Sequence, residues 1–368
     1  MRAAEAEFTI HRGGSSLTVA GGVRPTPEQL CLIHASTGDP ASISTALREW
    51  RSLVDLAGPI DGGSYRPIPT GYHRIQAFDI DDPNRAMFKG VYRRSIVDGA
   101  QVAHAVTPAL QALRDAHIMP WIVKGAGLVQ TGYYPTLASR PMQDVDVVVD
   151  SRLRHESMVA LRGAGYVLQK ADHQMVHLHA APFVDGAGNT LDLHWHHLHD
   201  VRYEAADRLL TKTSTTVDLN DVPVRVPGAT GLLIGTLVHG MVPNPEPSVR
   251  WIVDVSMILE RDADKVAWDD VVEFARQFRL ARRLQAGLQL LAETTGHTAP
   301  DGVTAALATL PTTAVERVDR RISAVPEDSI RGRLLQVVAG YAGGDRGLRH
   351  VVTGLPSYLA GRWDVRRV

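Results

Sequence analysis

Between 119 and 227 the chain alternates short apolar runs with amphipathic stretches, while both flanks carry apolar residues at helical spacing. The central pattern predicts a strand at 121–124, a helix at 126–134, a strand at 144–149 and a helix at 152–163. Further strands are expected at 166–169, 173–184 and 190–197. Asp185-Gly186-Ala187-Gly188-Asn189 joins the last two as a hairpin turn, and a second hairpin over 213–226 turns at Asn220-Asp221. Beyond Pro227, apolar residues at i, i+3 and i+4 predict helices over 228–241, 248–260, 268–277 and 279–294. Pro243-Asn244-Pro245-Glu246-Pro247 separates the first two of these.

The N-terminal flank begins with a polar, glycine-containing stretch over 1–30, and Pro25-Thr26-Pro27 reads as a turn before a helix at 28–35. Leu47, Trp50, Leu53 and Val54 place an amphipathic helix over 44–56, followed by a Gly- and Pro-rich loop over 58–69. The stretch 83–116 is helical twice over, with a break or kink near Pro108. The last 70 residues read as helical and carry no recognisable chemistry. The expected architecture is an α/β (α+β) core with a mixed sheet at 119–227, flanked by helical regions at 1–118 and 228–368.

Composition narrows the function classes. Hydrophobic content of 44% and charged content of 21% fit a globular protein, and a net charge of −1 gives no reason to expect nucleic acid as the main partner. A single cysteine, Cys31, excludes an intrachain disulfide and a multi-thiolate metal site. No apolar run approaches the ~20 residues needed to span a bilayer, and Met1 to Phe8 do not read as a signal peptide, so a cytoplasmic enzyme is expected. Nothing in the sequence sets the oligomeric state.

The candidate chemistry centres on 121–150. If 144–149 is a strand, Asp144 and Asp146 project from one face while Val145, Val147 and Val149 enter the core. Two carboxylates held side by side repel each other and are reconciled by a divalent cation between them. Neutralising either one should then leave the metal-free protein at least as stable. Lys124-Gly125-Ala126-Gly127 forms a glycine-broken turn into a helix, where backbone N–H groups could face an anion. Asp192, in Leu191-Asp192-Leu193-His194-Trp195-His196, adds a third carboxylate that shares a strand face with His194 and His196. Lys124 is readable as a phosphate contact or a solvated strand-end lysine. Arg140, four residues before Asp144, is readable as a phosphate contact or as the partner of a site carboxylate.

This ordered set resembles the nucleotidyltransferase superfamily that includes DNA polymerase beta. More closely, it is similar to a bacterial group of uncharacterised nucleotidyltransferases, in which a Lys-Gly turn, an Arg four residues before Asp-x-Asp, and an acidic-Leu-His-Trp strand recur. Here these are Lys124-Gly125, Arg140 with Asp144 and Asp146, and Asp192-Leu193-His194-Trp195; the likeness runs over about 46–296. Many superfamily members follow the first glycine with Gly or Ser, whereas this chain has Ala126 and so no serine hydroxyl there. The resemblance implies transfer of a nucleoside monophosphate from an NTP to a hydroxyl or phosphate of a small-molecule, peptide or protein acceptor. It also implies Mg²⁺, with Mn²⁺ as an alternative, held by Asp144, Asp146 and Asp192 as the catalytic set. Lys124, Gly125, Ala126, Gly127, Arg140 and His194 are then the expected nucleotide-binding residues.

Three other readings compete. An AbiEii-like toxin would modify tRNA or a protein through the same site. A non-catalytic nucleotide-binding scaffold would accord with Ala126. A zinc hydrolase would draw on His173, His177, His179, His194, His196, His197 and His199, crowded on two adjacent strands, although no His-Glu-x-x-His helix is present. In the C-terminal helices, His239, Trp251 and Asp254 either shape a pocket or pack helices.

Overall fold

The computed structural model describes residues 7–12, 15–20, 22–58, 60–169, 179–242 and 247–312. The chain opens on an antiparallel pair, β1 (Glu7–Arg12) and β2 (Ser15–Ala20), where the polar sequence had predicted no strand. Five helices follow: α1 (Pro27–Thr37), α2 (Pro40–Leu53), α3 (Gly62–Tyr65), α4 (Ile68–Ala77) and α5 (Arg85–Asp115). Thr26 and Gln29 form a reciprocal capping box at the start of α1, and Asp39 caps α2. These helices bury Trp50, Phe88, Ile68 and Tyr72 in a core of their own, with Trp50 and Phe88 edge to face at 5.5 Å.

Two expectations for this region are corrected. The presumed loop at 58–69 contains α3 and the start of α4. The stretch 83–116 is one 31-residue helix that runs through Pro108 without a break. Proline removes one helical N–H and crowds the carbonyls of the preceding turn. In that turn, Thr107 Oγ1 and Asn220 Nδ2 both donate to the Ala103 carbonyl, and the Tyr166 hydroxyl donates to that of Ala105.

The central part comprises β3 (Trp121–Ile122), α6 (Lys124–Gln130), β4 (Asp146–Val148), α7 (Arg154–Gly163), β5 (Val167–Leu168), β6 (Ala180–Val184), β7 (Thr190–His194), α8 (Glu204–Leu210), β8 (Ser214–Leu219) and β9 (Val222–Pro227). The strands make one mixed seven-stranded sheet in the order β5-β6-β7-β4-β3-β9-β8. β4 runs parallel to β7 and antiparallel to β3, while β3 runs parallel to β9. Helices α9 (Ala229–Gly240), α10 (Arg250–Asp262), α11 (Trp268–Gln277), α12 (Ala281–Thr295) and α13 (Asp301–Thr309) follow. α9 and α10 share one apolar core with the inner face of the sheet, including Val147, Leu193, Val224, Leu233 and Ile258. No described helix is long and apolar enough to cross a membrane.

Candidate active site

The centre of the sheet sets the geometry. β4 and β7 pair so that Asp146 lies directly beside Asp192 and Val148 beside His194. Neighbouring strands are ~4.8 Å apart, so in-register side chains on one face are adjacent, and residues i and i+2 of one strand share that face. One ligating atom from each of Asp146, Asp192 and His194 therefore falls within 4.8 Å of the other two. Among the described residues, this is the one group of three or more metal-ligating side chains so arranged.

Asp144 stands apart from this group. The predicted strand over 144–149 is shorter, beginning at Asp146, and Asp144 lies before it on an exposed loop. It is nonetheless crowded by neighbouring atoms: desolvation, then the like charges of Asp146 and Asp192, raise its pKa above the ordinary value. The side chain keeps contact with water, so the two like charges act on it more strongly than desolvation does. Asp146 behaves oppositely. Burial opposes its ionisation, but His194 and Lys124 outweigh that and hold its carboxyl well below the usual range.

Lys124 reaches Asp146 because Val123 N–H donates to the Asp146 carbonyl at 3.3 Å, fixing the end of β3 against β4. Lys124 is the first residue of α6 rather than the last of a strand, and its φ of +50° is in the left-handed region that non-glycine residues enter at a cost. Its Nζ donates to Asp146 Oδ1 at 2.5 Å. His194 Nε2 lies 3.0 Å from the same oxygen, but without hydrogen-bond alignment. Both ring nitrogens of His194 lack a hydrogen-bond partner although the residue is only 4% exposed. A buried imidazole with no partner, aimed at two adjacent carboxylates, fits a divalent cation.

Arg140 supports the turn from below. It is 4% exposed, and its Nε and Nη2 donate to the two oxygens of Asp254 on α10 at 2.9 and 2.7 Å. The Tyr134 hydroxyl donates to Asp254 Oδ1 at 2.6 Å. Of the two readings of Arg140, the structure places it in an ion pair, but with an aspartate from the C-terminal helices rather than with a site carboxylate. A Cβ on Gly125 would sit 2.5 Å from Arg140 Nη1, so the glycine is what lets the turn lie on the guanidinium. Gly127 allows α6 to approach the Ile122 carbonyl, which a Cβ would meet at 3.0 Å, and Ala126 is buried beside them.

Arg250, absent from the sequence reading, opens α10 and donates from Nη1 to the Pro141 carbonyl at 2.8 Å; Arg140 Nη1 donates to the same oxygen at 3.4 Å. Burial, then the charge of Arg140, lowers its pKa to about 9. The signal for it was an Arg and an Asp at i and i+4 within a helix whose other residues from Trp251 to Leu259 are buried. His239 is exposed, and crowding by its surroundings followed by the Lys124 charge lowers its pKa to about 4, so it is neutral at pH 7. Trp251 is buried against Gly240, which fits packing.

The other histidines are dispersed. His173 and His177 lie outside the described residues. β7 ends at His194, not at 197, so His196 leaves the face of Asp192. His196 and His197 instead bracket Asp207 at 2.7 and 3.0 Å, and His199 contacts Asp200 at 2.7 Å, which also binds Arg283. His179 stacks edge to face on His194 and His199, and burial followed by those two rings lowers its pKa to about 2. The described histidines form no ligand group among themselves, and zinc hydrolysis draws no support from them. Two surface cavities, one beside Pro108 and Asn220 and one beside Trp268 and Pro300, contain none of the site residues.

Residues 68–296 match the family described as uncharacterised nucleotidyltransferase. Among solved structures, an antigenic nucleotidyltransferase-like protein from Paracoccidioides brasiliensis is similar at 14% identity and a TM-score of 0.34, the match covering 58% of this chain and 94% of that one. No curated protein matches the chain.

Proposed function

The chain belongs to the uncharacterised nucleotidyltransferase family, and from that premise we propose that it moves a nucleoside monophosphate from an NTP to a hydroxyl or phosphate of a small-molecule, peptide or protein acceptor. The observation that carries the reading is the in-register pair Asp146 and Asp192 with the unpartnered His194 ring against it. These side chains would hold Mg²⁺ or Mn²⁺, with Asp144 reaching in from the loop above. When bound, the ion would polarise the phosphoryl oxygens and lower the pKa of the acceptor hydroxyl.

The chain's own groups supply the rest. Asp192, half-exposed at the open side of the pair, accepts the proton of the acceptor hydroxyl. The acceptor oxygen then bonds to the α-phosphorus, the bond from that phosphorus to the bridging oxygen breaks, and pyrophosphate leaves with the electron pair. Lys124, with the backbone of Gly125 and Ala126, faces the departing phosphates; the Gly127 N–H donates to the Val123 carbonyl, and Arg140 and Asp254 hold that turn in place. Arg250 adds positive charge on the same side, since Asp254, the acid on its own helix, is already engaged by Arg140 and Tyr134.

The test is incubation of the protein with each α-labelled NTP and Mg²⁺ or Mn²⁺ in a cell extract, following pyrophosphate release and label on an acceptor. Release that depends on the metal and disappears in Asp192→Asn supports the proposal. Absence of release with every NTP and both metals overturns it.

A further inference from the structure

One carboxylate oxygen is shared by two cationic or cation-binding groups. Asp146 Oδ1 accepts from Lys124 Nζ at 2.5 Å and has His194 Nε2 at 3.0 Å. Asp146 is 9% exposed, so little water reaches the oxygen to replace either neighbour. Asp146 belongs, through one of its carboxylate oxygens, to the group that converges within 4.8 Å with Asp192 and His194. The ammonium thus sits on a carboxylate that the site needs.

We infer that Lys124 is a tethered cation that exchanges with the divalent metal on Asp146. Without metal it neutralises Asp146 and keeps the paired carboxylates tolerable. On metal binding it releases Oδ1 and carries its charge to the polyphosphate of the nucleotide. The inference rests on the metal-dependent reading above and adds to it a regulation of that site.

Three features favour exchange over a fixed ion pair. The Lys124 side chain remains 30% exposed while that of Asp146 is 11% exposed, so the lysine is free to swing out and the aspartate is not. The left-handed φ of Lys124 sets its backbone, leaving movement to the flexible four-carbon stem. His194 lacks hydrogen-bond partners on both nitrogens, so the site retains an unused ligand while the lysine is in place.

Exchange has a definite thermodynamic signature. Lys124 competes with metal when nucleotide is absent and stops competing when phosphate draws it away. Nucleotide should therefore tighten metal binding through Lys124, and by linkage metal should tighten nucleotide binding by the same factor.

The experiment measures Mn²⁺ binding by electron paramagnetic resonance, with and without a non-hydrolysable ATP analogue, for wild type, Lys124→Met and Lys124→Gly. The glycine variant accepts the positive φ without strain, so a folding defect in the methionine variant leaves the test intact. We expect both variants to bind Mn²⁺ roughly tenfold more tightly than wild type without nucleotide, and the nucleotide-induced tightening to shrink by roughly the same factor. Tighter binding with undiminished coupling would show a stationary repulsive charge and overturn the exchange. So would metal binding unchanged or weakened by both substitutions. If the wild type binds no Mn²⁺ under either condition, the metal-dependent reading itself fails and takes the exchange with it.

Discussion

Asparagine substitution of Asp144 and of Asp146, one at a time, in EDTA at pH 7, separates two carboxylates that sequence treats alike. Asp146→Asn leaves Lys124 Nζ, 2.5 Å away and 30% exposed on its side chain, without its anion. The lysine can turn to water, so what is lost is the two charge-assisted contacts to the carboxylate, from Lys124 and His194, together ~3–5 kcal/mol. Against that, the repulsion from Asp192 disappears; with ligating atoms within 4.8 Å it is worth ~3 kcal/mol at an effective dielectric of about 20. The depressed pKa of Asp146 fixes the sign, since the folded environment favours the charged form overall. The balance is a destabilisation of up to about 2 kcal/mol, or a fall in Tm of up to roughly 3 °C.

Asp144→Asn removes a charge that its surroundings disfavour. The side chain is exposed, so solvent screens the gain to at most about 1 kcal/mol, and Tm should stay level or rise. The pH dependences also oppose. Asp146, with a depressed folded pKa, stabilises the fold above its ordinary value of 3.8 and loses that contribution as pH falls below it. Asp144, with a raised folded pKa, costs stability increasingly as pH rises above 3.8, and the benefit of its asparagine variant vanishes in acid. Melting curves of the three proteins between about pH 2 and 8 in EDTA decide the matter. Equal losses in both variants, or a more stable Asp146→Asn, would refute the assignment. The expectation that either substitution is harmless is thus kept for Asp144 and reversed for Asp146, because Lys124 Nζ donates to Asp146.

Local rules were legible where backbone conformation is dictated by neighbouring residues. Asn220 and Asp221 have φ of +50° and +66°, as a two-residue hairpin with right-handed strand twist requires, and the turn stands where the sequence placed it. Helix α11 runs over Trp268–Gln277, the predicted span, because its apolar period is strong and uninterrupted. The pairing of Asp146 with Asp192 extends an alternation that could be read from each strand separately, though its register could not. What escaped depends on distant partners. α5 runs through Pro108 with Asn220 and Tyr166, 117 and 61 residues away, donating to the Ala103 and Ala105 carbonyls of the turn before it. Arg140 finds Asp254 across 114 residues. Asp144 drops out of the strand because β3 and β7 pair with β4 only from Asp146 onward among the ladder residues.

Three further perturbations test the site's construction. His194→Phe preserves a ring of similar shape but removes the imidazole 3.0 Å from Asp146 Oδ1 that helps keep that carboxyl ionised; it should cost ~1 kcal/mol in EDTA while Mn²⁺ affinity falls by ~10–100-fold, read by thermal melts beside a metal titration. Gly125→Ala drives a Cβ to 2.5 Å from Arg140 Nη1 and 2.9 Å from Met142 Sδ; it should cost ~1–3 kcal/mol and weaken nucleotide binding, and an unaffected variant would show that the turn is not seated on Arg140. Asp254 distinguishes a clamp from a phosphate contact. Asp254→Ala strands the guanidinium of Arg140, which is 4% exposed, together with the Tyr134 hydroxyl, and should cost ~3–5 kcal/mol. Paired with Arg140→Met, the lost charge has no orphan, so most of that stability should return even though two ionic residues are gone. Nucleotide affinity then reads the role. Nε and Nη2 of Arg140 point to Asp254 and Nη1 to the Pro141 carbonyl, so the guanidinium is engaged inward at each nitrogen. The double variant should therefore bind an NTP analogue within a few-fold of wild type, judged by calorimetry. Restored stability with nucleotide binding abolished would place Arg140 on the phosphate and refute its assignment as a clamp.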